Sequence, residues 1–312
     1  MVVTAYRELE VEKLPVSDYN KAYLNRIKES LDFYADIYDL VLDRMAEAVS
    51  KPLSEVTMVD YGGGHGLLSM MAKERGVGQV IYIDSNVKSV ETMMVLSDLF
   101  EIGPDVVLHG DSRTLVQWCR REEEQIDALA GMDVIEHIYC LDDFFADVVA
   151  LGERVEMIFT TGSTPYNPRV ARRLHAVMEA DERNYADLRR DYLTDQYPEM
   201  LEKDLDYWVA NTRGLVYEDI RRAVESKSPN MLTDAYNTCD PRNGNWTERI
   251  LPLEDYEQIL SQYGYEMCYE LGFHNTHRKG WKALASWLSN AFLSWPGGRS
   301  RAPWLILFMS KK

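Results

Sequence analysis

The stretch Met58-Val59-Asp60-Tyr61-Gly62-Gly63-Gly64-His65-Gly66-Leu67-Leu68-Ser69 constrains this chain more than any other. A short apolar run meets an acidic residue and a glycine cluster, and a helical pattern follows at once. That order predicts a buried strand turning sharply into a helix. Glycine is needed where the backbone takes left-handed dihedrals or where a ligand presses against it, because a side chain there would collide. The turn is therefore either the floor of a ligand crevice or a tight connection with nothing bound. Gly62, Gly64 and Gly66 give G-x-G-x-G. The dinucleotide fingerprint G-x-G-x-x-G does not fit, since Leu67 and Ser69 stand where its last glycine would fall. The phosphate-cradling loop also fails, because no Gly-Lys-Ser/Thr follows.

A second strand pattern, Val80-Ile81-Tyr82-Ile83-Asp84-Ser85-Asn86, ends in Asp84. An acidic residue about 20 residues past the glycine turn reaches ribose hydroxyls in nucleotide-binding α/β folds. A carboxylate accepts from both hydroxyls of a vicinal diol, which orients the sugar as well as binding it. Asp84 could equally cap the next helix.

Beyond these strands the same rhythm continues. Strands are expected at 105–111, 126–130 and 155–161, with helices at 67–75, 87–100, 113–124 and 141–151 between or after them. This β-α alternation predicts a parallel sheet covered by helices on both faces, with right-handed crossovers. Residues 1–16 look irregular, and 18–49 follow helical spacing as one segment. Packing against the sheet is the reading preferred for that segment, with Tyr34 and Tyr38 as candidate lid contacts. The rhythm breaks at 162–168. Residues 169–225 are charged, tyrosine-rich and helix-compatible, and 226–250 are loop-like. A helix at 252–263, a strand at 265–273, a helix at 280–294 and a strand at 304–309 close the chain. The resulting division is a helical segment at 1–50, a core at 51–164, a helical cap insertion at 165–250 and the rest of the core at 251–312.

Composition narrows the partners. Of 312 residues 46% are hydrophobic, enough for a sizeable core. Lys and Arg number 34 against 51 Asp and Glu, a net charge of −17, which disfavours general nucleic-acid binding. Cys119, Cys140, Cys239 and Cys268 form no C-x-x-C pair and no zinc spacing, which suits thiols in a reducing compartment. No signal peptide and no spanning helix are expected, so the expected location is cytoplasmic.

Asp60 through Gly66 resembles motif I of the class I S-adenosylmethionine (SAM)-dependent methyltransferases. Asp133-Val134-Ile135-Glu136-His137-Ile138 is similar to the D-V-x-E-H-x signature of the ubiquinone-biosynthesis-like small-molecule methyltransferases. The resemblance covers about 55–164 and 252–312, and the insertion departs from it. It implies a Rossmann-like, doubly wound, seven-stranded sheet whose last strand, 304–309, runs antiparallel. It also implies SAM as cofactor. Gly62, Gly64 and Gly66 would line its methionine part, with Asp60 under the turn near the ammonium group. Asp84, with Ser85, would hold the ribose. Asp111, with Ser112, would meet the adenine, and Asp133 would sit beside the methionine end. Asp111 has a second reading as a helix cap.

A sulfonium methyl is already activated, so such an enzyme must align an acceptor and, for a hydroxyl, remove its proton. His137 is the candidate base, because imidazole titrates near neutrality, with Glu136 or Asp133 as candidates to orient it. His175, His274 and His277 are rivals, and His65 is expected against cofactor or sheet. No metal is expected. Tyr185, Tyr192, Tyr197, Tyr207, Trp208, Tyr217 and Tyr236 either cap an organic acceptor or form the core of a helical subdomain or a homodimer contact. Arg169, Arg172 and Arg173 either bind an acidic acceptor or form a solvated helix face. Residues 279–301 combine tryptophans with basic residues; a helix folded over the acceptor pocket is preferred to peripheral membrane contact. The function expected is methyl transfer to an oxygen of a small molecule, a sugar or secondary metabolite. Nitrogen or carbon methylation, or a non-catalytic SAM-binding regulatory partner, are the alternatives.

Overall fold

Apolar residues on alternate positions of five parallel strands are sorted onto two opposite faces of one sheet. The computed structural model describes residues 1–229, 232 and 234–311. Asn230, Met231 and Thr233, within the expected 226–250 loop, lie outside the described residues, as does Lys312. The strands are β1 (Thr57–Tyr61), β2 (Gln79–Asp84), β3 (Val106–His109), β4 (Ala128–Met132), β5 (Glu156–Thr161), β6 (Tyr265–Leu271) and β7 (Leu305–Lys311). Their order across the sheet is β3-β2-β1-β4-β5-β7-β6. The first five run parallel, and β7 runs antiparallel between β5 and β6.

Met58, Val80, Ala130, Ile158 and Ile306 face one core. Val59, Ile81, Leu129, Phe159 and Leu307 face the other. The first core is covered by α1 (Val2–Glu8), α2 (Asp18–Glu29), α3 (Leu31–Ala48), α4 (Leu67–Glu74) and part of α5 (Val87–Phe100). The second is covered by α6 (Ser112–Glu122), α7 (Leu141–Val149) and α11 (Leu253–Ser261). The insertion supplies α8 (Pro168–Gln196), α9 (Glu202–Asn211) and α10 (Tyr217–Ser226), and α12 (Trp281–Ala291) links β6 to β7.

Two expectations fail at the N-terminus. Residues 1–16 are not irregular: α1 forms there, because Val2 and Tyr6, one turn apart, are both buried. Seven residues are too few for a helical period to show in the sequence. The expected helix 18–49 is broken at Ser30, whose φ of −129° and ψ of 27° are not helical. The break lets two helices take separate supports. Asn20 in α2 donates to the Lys88 carbonyl and to Thr92 Oγ1 on α5, both at 2.6 Å. In α3, Phe33 meets Phe273 edge-on at 5.6 Å.

Most aromatic residues of the insertion pack its own small core. Tyr192 stacks on Tyr217 at 4.3 Å, and Tyr197 and Trp208 pack around the buried Leu193 and Ile220. Arg189 is buried beneath them, paired with Glu182 and donating to the Val209 carbonyl at 3.1 Å. Tyr207 is exposed.

The reversed strand β7 joins β6 to the parallel part of the sheet, so its centre should be costly to hollow. Ile306 is fully buried between β5 and β6. Ile306→Ala is expected to lower unfolding free energy by about 2–5 kcal/mol in urea titration, with an unchanged far-ultraviolet circular dichroism spectrum.

Candidate functional site

The glycine turn is locked to β2 by hydrogen bonds. Gly62 N–H donates to the Ile83 carbonyl at 2.8 Å, and the Tyr82 hydroxyl donates to the Gly64 carbonyl at 2.6 Å. Gly62, Gly64 and Gly66 all have positive φ, of 67°, 55° and 78°. A side chain at Gly62 would also strike Val134, and one at Gly66 would strike Met93. Gly64 differs: a Cβ there would find nothing nearer than the Tyr23 hydroxyl, 3.5 Å away. A Cβ at Gly64 would make ordinary van der Waals contact with Tyr23 of α2, which covers the turn on that side.

Around that space stand carboxylates. Asp60 is buried and accepts from Ser69 N–H at 3.0 Å and Ser69 Oγ at 2.6 Å through one oxygen, which pins α4 to the strand. Burial pushes its pKa up to about 6 despite those bonds, and Asp84 adds to the rise. Asp84 accepts from Gly64 N–H at 2.9 Å and from Asn86 N–H at 2.7 Å, and burial raises it too. The cap of α5 is Asn86, which accepts from Lys88 N–H. Asp133 follows β4 with φ of 50°. Its side chain reaches solvent, yet protein atoms crowd around it. Desolvation and Glu248 raise it. Tyr23, Tyr34 and Tyr38 feel the Asp133 charge, which places all three near it. Glu136 is buried, accepts from Thr161 Oγ1 at 3.0 Å, and leaves Oε2 without a partner. Burial, Asp133 and Glu248 raise it well above the carboxylate range. Among the described residues, none of these carboxylates has a cation within 4.0 Å.

The end of the insertion completes the site. Trp246 N–H donates to the His137 carbonyl at 3.3 Å, and Arg249 N–H donates to the Glu136 carbonyl at 3.3 Å. Ser163 Oγ donates to Glu248 at 2.7 Å. The Trp246 indole N–H donates to the Tyr139 carbonyl at 3.0 Å. His137 Nδ1 lies 2.7 Å from the Trp246 carbonyl. A carbonyl only accepts, so Nδ1 carries the proton and Nε2 is left as an acceptor. The imidazole is thus oriented by a backbone carbonyl rather than by Glu136 or Asp133, whose carboxylates are engaged with Thr161 and Thr160. Sequence reasoning missed Trp246 and Glu248. Nothing in their residue types marks them, since Trp246 acts on His137 through its backbone.

Other expected residues are placed as follows. Asp111 caps α6, accepting from Arg113 and Thr114 N–H through Oδ1. Ser112 Oγ donates to Asp147 at 2.7 Å, and Ser85 is exposed beside Asp84. His65 turns from the crevice to α1, where the Tyr6 hydroxyl donates to its carbonyl at 2.8 Å, and burial pushes its pKa down to about 4. Of the rival histidines, His175 stacks on Tyr236 at 4.1 Å, His277 meets Asp36 at 2.7 Å, and His274 lies 3.1 Å from the Arg301 carbonyl. A cavity of about 800 Å³ lined by Arg169, His274, Lys279 and Lys282 shares no residue with the glycine turn. The apolar side of α12 faces solvent, with Trp281, Leu284 and Trp287 exposed, and Trp281 also lines that cavity.

Five parallel strands, a reversed β7 inserted before the edge, and a glycine turn after β1 decide the architecture. This chain has the class I methyltransferase fold. No family model matches the sequence, and no curated protein matches it. It is similar to the solved structure of a geranyl diphosphate C-methyltransferase from Streptomyces coelicolor, with 13% identity and a TM-score of 0.43 over 96% of this chain and 86% of that one. A magnesium protoporphyrin IX methyltransferase from Synechocystis gives 12% identity and 0.44 over 98% and 93%. The plantazolicin methyltransferase BamL gives 9% and 0.45 over 99% and 97%. At these identities they say nothing of what this chain binds.

A class I methyltransferase fold with so acidic a crevice should show it in its pH dependence. Asp60 titrates near 6 rather than at 3.8, so its ionisation costs the folded state on the order of 3 kcal/mol. Its folded pKa is raised, so that stabilisation is complete below about 4 and lost as pH rises through 6. Urea unfolding of the wild type against Asp60→Asn, from pH 4 to 7.5, is expected to show the wild type losing ground as pH rises.

Proposed function

We propose that this chain is a SAM-dependent methyltransferase acting on an oxygen of a small-molecule acceptor. The observation that carries the reading is the crevice at the carboxyl ends of β1, β2 and β4. It holds carboxylates that raise the pKa of their neighbours, and among the described residues none of them is paired with Lys or Arg. Such a site favours a ligand that brings positive charge, because an opposite charge offsets desolvation. SAM brings two, a sulfonium and an ammonium. A pyrophosphate would meet the same carboxylates as like charge, which disfavours a nicotinamide dinucleotide.

Bound SAM would supply a methyl group already activated toward a nucleophile. The chain's residues would do the rest. The methionine part would lie along the turn at Gly64, with Asp60 bracing the turn beneath it. Asp84, with Ser85 beside it, would hold the ribose. Asp111 Oδ2, not used in capping, and Ser112 would face the adenine. Gly62 and Gly66 would serve by allowing the turn, and Asp133 would meet the ammonium. His137 Nε2 would take the acceptor's hydroxyl proton while the Trp246 carbonyl holds Nδ1–H. Glu136, kept neutral by burial, would fix the loop after β4 to Thr161 without moving a proton.

Two substitutions test the assignments. Asp84→Ala should weaken SAM binding about tenfold or more by titration calorimetry, the scale of losing hydrogen bonds to a charged group. Unchanged affinity would remove Asp84 from the site. With radiolabelled SAM and small-molecule extracts as acceptor source, His137→Ala should cut turnover about 10²-fold or more while SAM affinity holds. Wild-type turnover in that variant would rule out His137 as the base, and binding without any transfer would favour a regulatory SAM-binding role.

A further inference from the structure

Helix α12 is amphipathic with its polar side turned inward. Ser286 is its one buried residue. Asn290 on that side accepts from His274 N–H at 2.7 Å and donates to the His274 carbonyl at 3.0 Å. The opposite side carries Trp281, Leu284, Trp287 and Leu288, and Phe292 and Trp295 continue it past the helix end. All six are exposed, Trp281 at 76% and Trp287 at 62%. A water-soluble fold normally arranges such a helix the other way round.

Charge identifies what would cover this face. The chain carries −17 overall, yet no Asp or Glu occurs after Glu270, while Arg278, Lys279, Lys282 and Arg301 flank the tryptophans; Arg299, also there, is paired with Glu254 and lies over the Tyr166 ring. The cavity of about 800 Å³ beside α12 is lined by Arg278, Lys279 and Lys282 together with Arg169. A second copy of the chain would bring the same cations face to face with these. An anionic bilayer complements both features, because tryptophans settle at the headgroup level and basic side chains meet lipid phosphates. No helix among the described residues is long and apolar enough to cross a membrane, so the contact would be peripheral. The segment also lies at the working end of the sheet: it joins Leu271 of β6 to Leu305 of β7, which pair with each other, and Leu305 pairs with Thr161 at the carboxyl end of β5.

We propose that residues 278–301 dock this protein on the surface of an anionic lipid bilayer, with the α12 tryptophans at the headgroup level. The inference is independent of the methyl-transfer reading. The full chain should co-sediment with phosphatidylcholine vesicles containing 30% phosphatidylglycerol at low salt. Binding should fall about tenfold or more with pure phosphatidylcholine and on raising salt. Trp281→Ala/Trp287→Ala/Trp295→Ala, and separately Lys279→Gln/Lys282→Gln, should each weaken sedimentation about tenfold, with far-ultraviolet circular dichroism and thermal midpoint kept as folding controls. No association of the wild type at low salt, or association untouched in both folded variants, would overturn the proposal. So would a wild-type dimer that the tryptophan variant converts to monomer with no vesicle binding, since that result marks a contact between copies.

Discussion

The carboxylates around the glycine turn repel one another, and among the described residues none of them forms an ion pair with Lys or Arg. Asp60 and Asp84 stand on neighbouring strands, Asp133 and Glu136 follow β4, and Glu248 arrives from the end of the insertion. Keeping Asp60, Asp84 and Glu136 buried costs several kcal/mol unless they are protonated or meet positive charge. The fold tolerates this because each group also has a structural task. Asp60 holds Ser69, Asp84 holds Gly64, and Glu136 holds Thr161. On the proposed reading, the same side chains that order the turn would meet a cationic nucleoside.

The insertion is joined to that crevice more closely than a cap laid over it would be. Its closing segment runs along the loop after β4 and binds it at His137, Glu136 and Tyr139. Arg249 lies over the Trp246 ring, 4.4 Å from its centre, which stiffens the segment. The orientation of the candidate base therefore depends on residues more than a hundred positions away in the chain. The insertion's tyrosines mostly serve its own core, so its link to chemistry runs through backbone groups near Trp246. Selection of the acceptor would then fall to the shape of that closing segment and to α2 and α3 above it.

Much of the sheet was legible because strand and helix periods differ plainly. The helix 87–100 was read at its true ends, and the reversed final strand followed from the family resemblance rather than from any pattern in 304–309. The glycine turn was legible because only positive φ explains three alternating glycines there. The break at Ser30 was hidden, since apolar spacing continues across it and the cause is tertiary, the separate anchoring of α2 and α3. The partner of His137 was hidden for a different reason: a backbone carbonyl leaves no residue type to find. For α12 the sequence leaves two readings, a helix over the acceptor pocket and an outward apolar face, because a periodic pattern shows that a helix has two sides and not which of them the protein takes.

Calorimetric titration with SAM near pH 6, repeated in buffers of differing ionisation enthalpy, tests the central claim most directly. If the crevice holds raised carboxylates that a cationic ligand relieves, SAM must release protons on binding. Its uncharged thioether product must release fewer. Absence of binding, proton uptake with SAM, or preferential binding of a pyrophosphate nucleotide would contradict the account.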